Sequence, residues 1–508
     1  MELSVSSFQI LLIFLLSVFV VLKIGKRSRT SDRILNLPPG PWKLPFIGNL
    51  HQLVGSPPHR RLRDLAKKYG PLMHLQLGEV PTIVVSSPHF AKEVMKTHDV
   101  IFASRPQVLA AKILFYEYSD IAFAPYGDYW RQLRKICVLE LLSTKRVRSL
   151  RSIREEGVSN LVNLIASKTG SEINLTNNLY ALMYVIISRA AFGSICKDQE
   201  AFLSAVREAT EVIAGFSIAD LFPSLECLQW VTGIKSKLER VHKKVDRIFE
   251  NIIHEHKERK TIPKSGKIEE DGDLVDVLLN IQEQRNLEFP LTADNIKAVI
   301  SDIFSAGSES SATTVDWAMC EMMKNPRVMK KAQAEVRQVF DAKGKVDETG
   351  IAEMKFLNLV IKETLRLHPP LPMLLPRVCG EKCEINGFDI PVKARVIVNA
   401  WAIGRDPEYW SDPESFIPER FLDRSVDYKG TNFEYIPFSA GRRICPGISF
   451  GLANMELPLA ALLYHFDWKL PNELKHEDLD MTDAYGVTVK RKDDLHLIPI
   501  PYHPSPVV

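Results

Sequence analysis

The chain has 508 residues, 45% of them hydrophobic and 25% charged, which are the proportions of an ordinary globular protein. A net charge of +3, with basic residues spread along the chain, does not indicate a nucleic-acid partner. Seven widely spaced cysteines, an odd number, do not form a disulfide framework, so the main body is predicted to occupy a reducing compartment.

The N-terminus carries a membrane-anchor pattern. Residues 4–22 hold no charge and are mostly Leu, Ile, Val and Phe, which is about the length that a helix needs to cross a bilayer. Lys23, Lys26 and Arg27 follow at once, whereas only Glu2 precedes the apolar run. Basic residues stay on the cytosolic side, so the N-terminus is predicted to face the lumen. A cleaved signal peptide would carry its basic cluster in front and a cleavage site behind.

A proline-rich hinge comes next. Pro38, Pro39 and Pro41 each fix φ and disfavour helix in the residue before them, so this segment ends the anchor and forms a stiff spacer. The predicted organisation is an anchor at 1–30, a hinge at 31–50 and one large catalytic domain at 51–508.

The body is predicted to be mainly α with minor β. Two short β-like runs are followed by mostly helical spacing to about residue 254, and later by a helix that begins at Thr292 and ends at Asn325-Pro326. The other predicted segments are a solvated loop at 256–273, a helix at 353–367, a strand at 395–399 and an irregular tail after Pro499. The two early strands are placed at 72–77 and 82–86.

The chain has no G-x-G-x-x-G fingerprint and no P-loop. We therefore expect that any redox chemistry draws its electrons from a partner protein.

The most informative stretch runs from Phe438 to Gly447 and contains F-x-x-G-x-R-x-C-x-G. Cys445 lies just before a helical pattern that begins near Ile448, and a helix N-terminus stabilises a thiolate. Gly441 and Gly447 allow the backbone to approach a flat ligand, and Arg443 can neutralise an acidic group. A cysteine thiolate is an axial ligand of heme iron that favours O–O cleavage.

This stretch resembles the heme-binding loop of the cytochrome P450 superfamily at every fixed position. The resemblance extends along the chain through the hinge, Trp130-Arg131-Gln132-Leu133-Arg134, Ala306-Gly307-Ser308-Glu309-Ser310, Glu363-Thr364-Leu365-Arg366 and Pro418-Glu419-Arg420-Phe421. The chain looks most like plant microsomal oxidases of specialised metabolites, above all terpene oxidases such as those acting on premnaspirodiene or casbene. It implies heme b, O₂, an NADPH-cytochrome P450 reductase, a small apolar substrate and the endoplasmic reticulum membrane.

The resemblance also implies roles for individual residues. Cys445 is the metal ligand, and Glu363, Arg366 and Arg420 form a buried structural triad. The implied oxygen-handling residues are Ala306, Gly307, Glu309 and Ser310. The implied heme contacts are Trp130, Arg134, Arg377, Phe438, Arg443 and Gly447. Ser310 departs from the usual threonine, so it keeps the hydroxyl but loses the methyl that restricts its rotamer.

By family position, the predicted substrate pocket is apolar and carries no charged cluster. Its walls are Phe102, Leu109, Ile113, Leu114, Phe115, Phe123, Ile303, Met373, Leu374, Leu375 and Val487. Exposed basic residues near Cys445 are predicted to contact the reductase: Arg131, Lys135 and Arg442.

Other functions remain open at this point. The substrate could instead be an alkaloid or a phenylpropanoid. A peroxide-rearranging enzyme of the allene oxide synthase type needs no electrons and typically lacks the acid–alcohol pair, so Glu309 and Ser310 disfavour it. The same residues disfavour a non-catalytic heme sensor or binding protein.

Overall fold

The computed structural model describes residues 35–193, 202, 204, 205, 208, 217–261, 272–284, 287–484 and 486–502. The predicted anchor at 1–30 and the first hinge residues, 31–34, lie outside the described residues. Within those described ranges, no helix is both long enough and apolar enough to cross a membrane.

Helices dominate the described residues, as the sequence predicts. Those of the first half are α1 (Pro58–Tyr69), α2 (Pro88–Lys92), α3 (Leu109–Leu114), α4 (Asp128–Ile136), α5 (Thr144–Ser149), α6 (Arg151–Ala166), α7 (Leu175–Phe192), α8 (Ile218–Leu221), α9 (Cys227–Val231) and α10 (Ile234–Thr261). Those of the second half are α11 (Leu274–Gln284), α12 (Ala293–Lys324), α13 (Pro326–Lys343), α14 (Glu348–Ile351), α15 (Lys355–Leu367), α16 (Ala400–Ile403) and α17 (Ile448–His465).

The strands form small sheets at the edges of this helical body. They are β1 (Leu72–Leu77), β2 (Val80–Val85), β3 (Ile173–Asn174), β4 (Arg377–Val378), β5 (Cys383–Ile385), β6 (Phe388–Ile390), β7 (Arg395–Val398), β8 (Phe466–Lys469), β9 (Asp483–Ala484), β10 (Lys490–Arg491) and β11 (His496–Pro501). One sheet has the order β1-β2-β7-β4, with β2 and β7 parallel, and another has the order β3-β11-β8. β5–β6 and β9–β10 form two-stranded hairpins.

Helix α12 crosses the middle of the domain, packed against α7, α13, α15 and α17. Its start agrees with the prediction, because Thr292 forms a capping box with Asn295. The Thr292 hydroxyl accepts a hydrogen bond from Asn295 N at 3.2 Å, and the Asn295 side chain accepts one from Thr292 N at 2.8 Å. This cap fixes the register with which α12 presents residues 302–310 to the interior.

Two predicted boundaries among the helices differ from the structure. The loop predicted at 256–273 begins too early, since α10 continues to Thr261 and residues 262–271 lie outside the described ranges. α15 begins at Lys355 instead of residue 353, because the Glu335 carboxylate of α13 accepts hydrogen bonds from the Phe356 and Leu357 amides.

Two strand predictions also need correction. The second early strand runs over Val80–Val85, because its register follows the short turn from β1. The tail predicted to be irregular after Pro499 continues as strand β11 to Pro501, where Pro501 is paired with Phe466 of β8. The strand predicted at 395–399 is confirmed as Arg395–Val398.

Candidate active site

Cys445 lies in a tight loop between a short 3-10 turn at Gly441–Arg443 and the start of α17. Its amide donates to the Phe438 carbonyl at 2.9 Å, which closes the loop. Gly441 has φ +69°, and a Cβ there would lie 2.1 Å from the Met95 carbonyl oxygen, so only glycine fits. Gly447 is the N-cap of α17, as the sequence predicts for a helix start directly after the cysteine.

Two groups favour the thiolate form of Cys445, although burial opposes it. Burial raises the pKa of the Cys445 thiol, while the Gly447 amide and the positive charge of Arg134 lower that pKa. The helix N-terminus and the predicted cofactor-contacting arginine therefore both act on the sulfur in the expected direction.

An internal cavity separates Cys445 from the middle of α12. The loop side carries Cys445, Phe438 and Gly447, and the helix side carries the predicted oxygen-handling residues Ala306, Gly307, Glu309 and Ser310. Residues 438–447 and 306–310 are more than a hundred positions apart in sequence, so the fold brings the two strongest motifs to facing walls of one space.

Serine hydroxyls on α12 bond back to the helix. Ser310 Oγ donates to the Ala306 carbonyl at 2.6 Å, one turn earlier, in the geometry that a mid-helix serine commonly adopts. Ser308 makes the same bond to Phe304 at 2.7 Å but does not line the cavity. Of these two serines, only Ser310 lines the cavity.

Four buried or half-buried arginines gather at one end of the cavity: Arg105, Arg134, Arg377 and Arg443. Burial lowers the pKa of each, to about 10 for Arg377 and about 9 for Arg443. Their hydrogen bonds go mainly to backbone carbonyls. Arg443 donates to the carbonyls of Ala103, Ile121 and Ala124.

Negative charge is scarce around these arginines. Asp99 lies 3.5 Å from Arg377, and burial raises the pKa of the nearby Asp120 carboxyl to about 7. Buried cations are costly without paired anions. The cluster therefore fits a ligand with two carboxylates, such as heme b with its two propionates.

Trp130 and Arg134 share one face of α4, as predicted. The Trp130 indole donates to the Ile121 carbonyl at 3.0 Å, and the Arg443 guanidinium stacks over its ring at 4.2 Å. Arg134 lines the cavity and lies over the same ring at 5.8 Å. Trp130 is thus positioned to orient both arginines.

The triad of Glu363, Arg366 and Arg420 is present and buried. Arg366 forms a bidentate salt bridge with Glu363, at 2.7 and 2.8 Å, and Arg420 Nε donates to the same carboxylate at 2.9 Å. Remaining Arg366 protons go to the carbonyls of Gly404, Pro413 and Ser415. This network ties α15 to the segment that leads into the Cys445 loop.

The structure divides the predicted substrate-pocket residues into two groups. Those on the cavity wall are Phe115, Phe123, Ile303, Leu374, Leu375 and Val487. Those outside it, packed in neighbouring apolar clusters, are Phe102, Leu109, Ile113, Leu114 and Met373. Leu109, Ile113, Leu114 and Met373 lie on the same segments as wall residues, whereas Phe102 belongs to a separate segment and is fully buried.

Sequence reasoning missed two charged residues of the wall, Arg105 and Asp302. The sequence contains an indication of each of these two residues. Asp302 is a lone acid within an apolar stretch of a predicted helix, and Arg105 ends an apolar run directly before Pro106. A buried charge of this kind needs a partner, so it marks either a ligand site or a buried network.

A profile of the family described as Cytochrome P450 matches residues 38–498. The chain belongs to the cytochrome P450 family. Members of this family are heme-thiolate monooxygenases that hold heme b on a cysteine ligand. The chain is 55% identical to a premnaspirodiene oxygenase from Hyoscyamus muticus, over 98% of this chain and 99% of the relative.

Two further matches are a plant hydroxylase and a vertebrate cytochrome P450. The chain is 56% identical to tabersonine 16-hydroxylase 2 from Catharanthus roseus, over 97% of each chain. Among solved structures, a zebra fish cytochrome P450 with abiraterone has a TM-score of 0.75 and 26% identity, covering 88% of this chain and all of that one.

Proposed function

We propose that this cytochrome P450 is an NADPH- and O₂-dependent monooxygenase of an apolar plant specialised metabolite, most specifically a sesquiterpene or diterpene scaffold of the casbene type. The observation that carries the proposal is the single cavity that joins Cys445 to Glu309 and Ser310 through mostly apolar walls. The likeness to a premnaspirodiene oxygenase supports a terpene substrate. The likeness to a tabersonine hydroxylase supports the alternative, an alkaloid or phenylpropanoid hydroxylase.

Each wall has a separate task in this proposal. Cys445 would hold the heme iron, Arg134, Arg377 and Arg443 would pair with the propionates, and Phe438 and Gly447 would pack beside the sulfur. Heme, when bound, supplies the oxygen activation that inserts one atom of O₂ into a C–H bond.

Ser310 and Glu309 deliver protons to the cavity from the α12 side. Ser310 Oγ donates to the Ala306 carbonyl, so its lone pairs accept a hydrogen bond from the cavity. Rotation about χ1 turns that hydroxyl into a donor, and the missing methyl makes this rotation easier than in threonine. Glu309, also on the cavity wall, can resupply the proton. Ala306 has a small side chain and Gly307 has none, so the surface of α12 leaves space beside Glu309 and Ser310.

An NADPH-cytochrome P450 reductase is the proposed electron source. Arg131, Lys135 and Arg442 are all exposed, and Arg131 and Arg442 lie over the same Tyr126 ring, next to the loop that carries Cys445. Among the described residues, Arg131 forms an ion pair with the exposed Asp128 and Arg442 with the largely buried Asp99, and both arginine side chains stay about half exposed, so their charge remains accessible to an acidic partner surface.

An apolar surface patch beside the β1–β2 turn supports anchoring at the endoplasmic reticulum membrane. The Gly78 amide donates to the Ile47 carbonyl, and the Glu79 amide donates to the Leu221 carbonyl, so the hinge and the α8–α9 segment flank one turn. Large exposed apolar residues lie on both sides: Trp42, Phe46, Ile47, Val54, Ile218, Trp230 and Val231. With the anchor at 1–30, this patch would place the catalytic domain, 51–508, on the cytosolic face.

The test is reconstitution of the heme-loaded protein with its reductase and NADPH, against sesquiterpene and diterpene hydrocarbons and alkaloid scaffolds. Mass spectrometry should find an NADPH-dependent terpene product one oxygen atom heavier. Products from alkaloids alone would overturn the terpene assignment and keep the monooxygenase. Turnover of fatty-acid hydroperoxides without NADPH would favour the rearranging enzyme, and the absence of turnover with all substrates would favour the heme sensor.

A further inference from the structure

Two buried carboxyl groups meet beside the cavity. Asp302 lies on α12 and lines the cavity, and Asp120 lies in the loop that follows α3. Asp302 Oδ2 accepts hydrogen bonds from the Ile121 amide at 2.7 Å and the Ala122 amide at 3.2 Å. Asp120 Oδ2 accepts one from the Phe123 amide at 2.9 Å. The two carboxyls therefore hold three consecutive backbone amides.

The carbonyls of the same loop, residues 120–124, are held from the other side. The Ile121 carbonyl accepts from Trp130 Nε1 and from Arg443, and the Ala122 carbonyl accepts from Arg105 at 3.1 Å. Because the backbone polar groups are engaged in this way, Ile121 and Phe123 present apolar side chains to the cavity. Phe123 also stacks on Phe115, with centroids 5.8 Å apart.

Two buried carboxyl groups repel each other when both are ionised, so burial side by side favours one of them staying protonated. Asp120 Oδ1 is buried and accepts no hydrogen bond from an amide, hydroxyl or cationic donor of the described residues. Burial and, after it, the negative charge of Asp120 raise the pKa of Asp302, so the pair favours retaining one proton. Burial raises the pKa of Asp302 well above its ordinary value and that of Asp120 to about 7.

The surroundings identify which groups can change charge there. Arg105 and Arg443 are the nearby cations, and they favour an ionised Asp120. Tyr129 and Cys137 face the pair from α4 and the turn after it, and burial raises the pKa of each, so both stay neutral near pH 7. Tyr118 is likewise neutral. The aspartate pair is therefore the titrating element between weakly acidic and weakly alkaline pH.

We propose that a proton shared between Asp120 and Asp302 clamps residues 120–124 onto α12, and that this clamp positions Ile121 and Phe123 as the wall that orients the substrate. Asp120 and Asp302 are positioning residues, since they act through the loop and not on the reacting atoms. The role in substrate orientation rests on the proposed function, whereas the clamp itself does not.

The clamp gives a pH dependence of defined sign. In the closed loop the pair holds a proton that free aspartates lose near pH 4, so closing is coupled to proton uptake above that pH. Loop opening therefore becomes more favourable as the pH rises from about 4 through the raised pKa values of the pair. One coupled proton changes the opening equilibrium by about tenfold per pH unit within this window.

Hydrogen exchange of the Ile121, Ala122 and Phe123 amides, in substrate-free holoenzyme, measures the clamp without turnover. After correction for intrinsic exchange rates, we expect their protection to fall at least about tenfold between pH 5.5 and 7.5. Asp302→Asn keeps an acceptor for the amides and a donor to Asp120, so it should retain protection with a flatter pH profile. Asp302→Leu should lose protection at both pH values.

Asp316→Asn is the matched control. Asp316 lies on the same helix, is also buried with a raised pKa and bonds Thr176 away from the loop. It should leave the exchange of residues 121–123 and its pH dependence unchanged. Asp120→Asn provides a second test of the pair if Asp302→Leu does not fold, and its pH profile should be flattened like that of Asp302→Asn.

A pH-independent protection in the wild type, or equal losses in Asp302→Asn and Asp302→Leu, would overturn the clamp. The orienting role has its own readout: Asp302→Leu should change the ratio of oxidised regioisomers, and Asp302→Asn should restore it. If the exchange results support the clamp but Asp302→Leu leaves the ratio of regioisomers unchanged, the orienting role alone is refuted. The clamp result stands even if the proposed substrate class fails.

Discussion

The two walls of the cavity are held together by opposite kinds of electrostatics. Behind Cys445, the carboxylate of Glu363 is matched by two arginines, whose remaining donors reach backbone carbonyls. At the loop of residues 120–124, beside α12, Arg105 and Arg443 donate to backbone carbonyls, and Asp302 and Asp120 accept from backbone amides. The first wall is complete without any ligand. The second has excess positive charge and a titrating clamp, so its state depends on what binds and on pH.

The largest expected effect concerns the wall that is already complete. Cys445→Ala removes the thiolate, so we expect loss of the heme-thiolate absorbance spectrum and of all NADPH-dependent product. Cys320→Ala is the matched control, because Cys320 is buried in α12 but away from the cavity. A Cys445→Ala protein with the wild-type heme spectrum would mean that another residue is the ligand.

Removal of the shared carboxylate should be the next largest effect. Glu363→Ala leaves two arginines buried without their anion, at a cost of about 3–5 kcal/mol, and should yield protein with little bound heme. Glu419→Ala, in the same Pro418–Phe421 turn, breaks only surface pairs with Arg327 and Lys331 and should cost below about 1 kcal/mol. The heme-to-protein ratio and denaturant unfolding measure both; full heme occupancy in Glu363→Ala would contradict the assigned role.

A smaller effect is expected on the α12 wall. Ser310→Ala removes the only cavity-facing hydroxyl of the Ser308–Ser310 pair, so product formed per NADPH consumed should fall several-fold while NADPH consumption continues. Ser308→Ala removes an equivalent helix bond and should leave this ratio unchanged. Identical coupling in Ser310→Ala and wild type would show that Ser310 only satisfies the Ala306 carbonyl.

The smallest expected effect distinguishes a residue on the cavity wall from a residue in the apolar core behind it. Phe123→Leu alters the cavity surface and should shift the ratio of oxidised products by about 1 kcal/mol, or roughly fivefold. Phe102→Leu removes similar volume outside the cavity and should lower the unfolding free energy without changing that ratio. A product shift from Phe102→Leu would contradict the placement of Phe102 outside the cavity.

This contrast explains what the sequence could and could not predict. Around Cys445 the needed residues lie in short segments with fixed spacing, and Gly441 is required by a backbone contact, so the motif predicts the loop correctly. The triad and the α12 residues follow from similar motifs. The described pattern of helices and short strands also agrees with the predicted mainly α class.

The rest depends on partners that lie far away in sequence. Asp302 bonds amides about 180 residues earlier, and Glu335 sets the start of α15 from another helix. Whether Phe115 or Leu114 faces the cavity depends on the rotation of a six-residue helix, and both are apolar. Local spacing carries no information on such choices.

The three-stranded sheet constrains the order in which the cavity closes during folding. Strand β11 inserts between β3 and β8, and the Leu495 amide donates to the Thr176 hydroxyl at the start of α7. The turn with Val487, a cavity wall, precedes β11 by only a few residues. This side of the cavity therefore closes only once β11 has joined two strands that are far apart in sequence, so weakening β11 should impair cofactor enclosure before it unfolds the helical body.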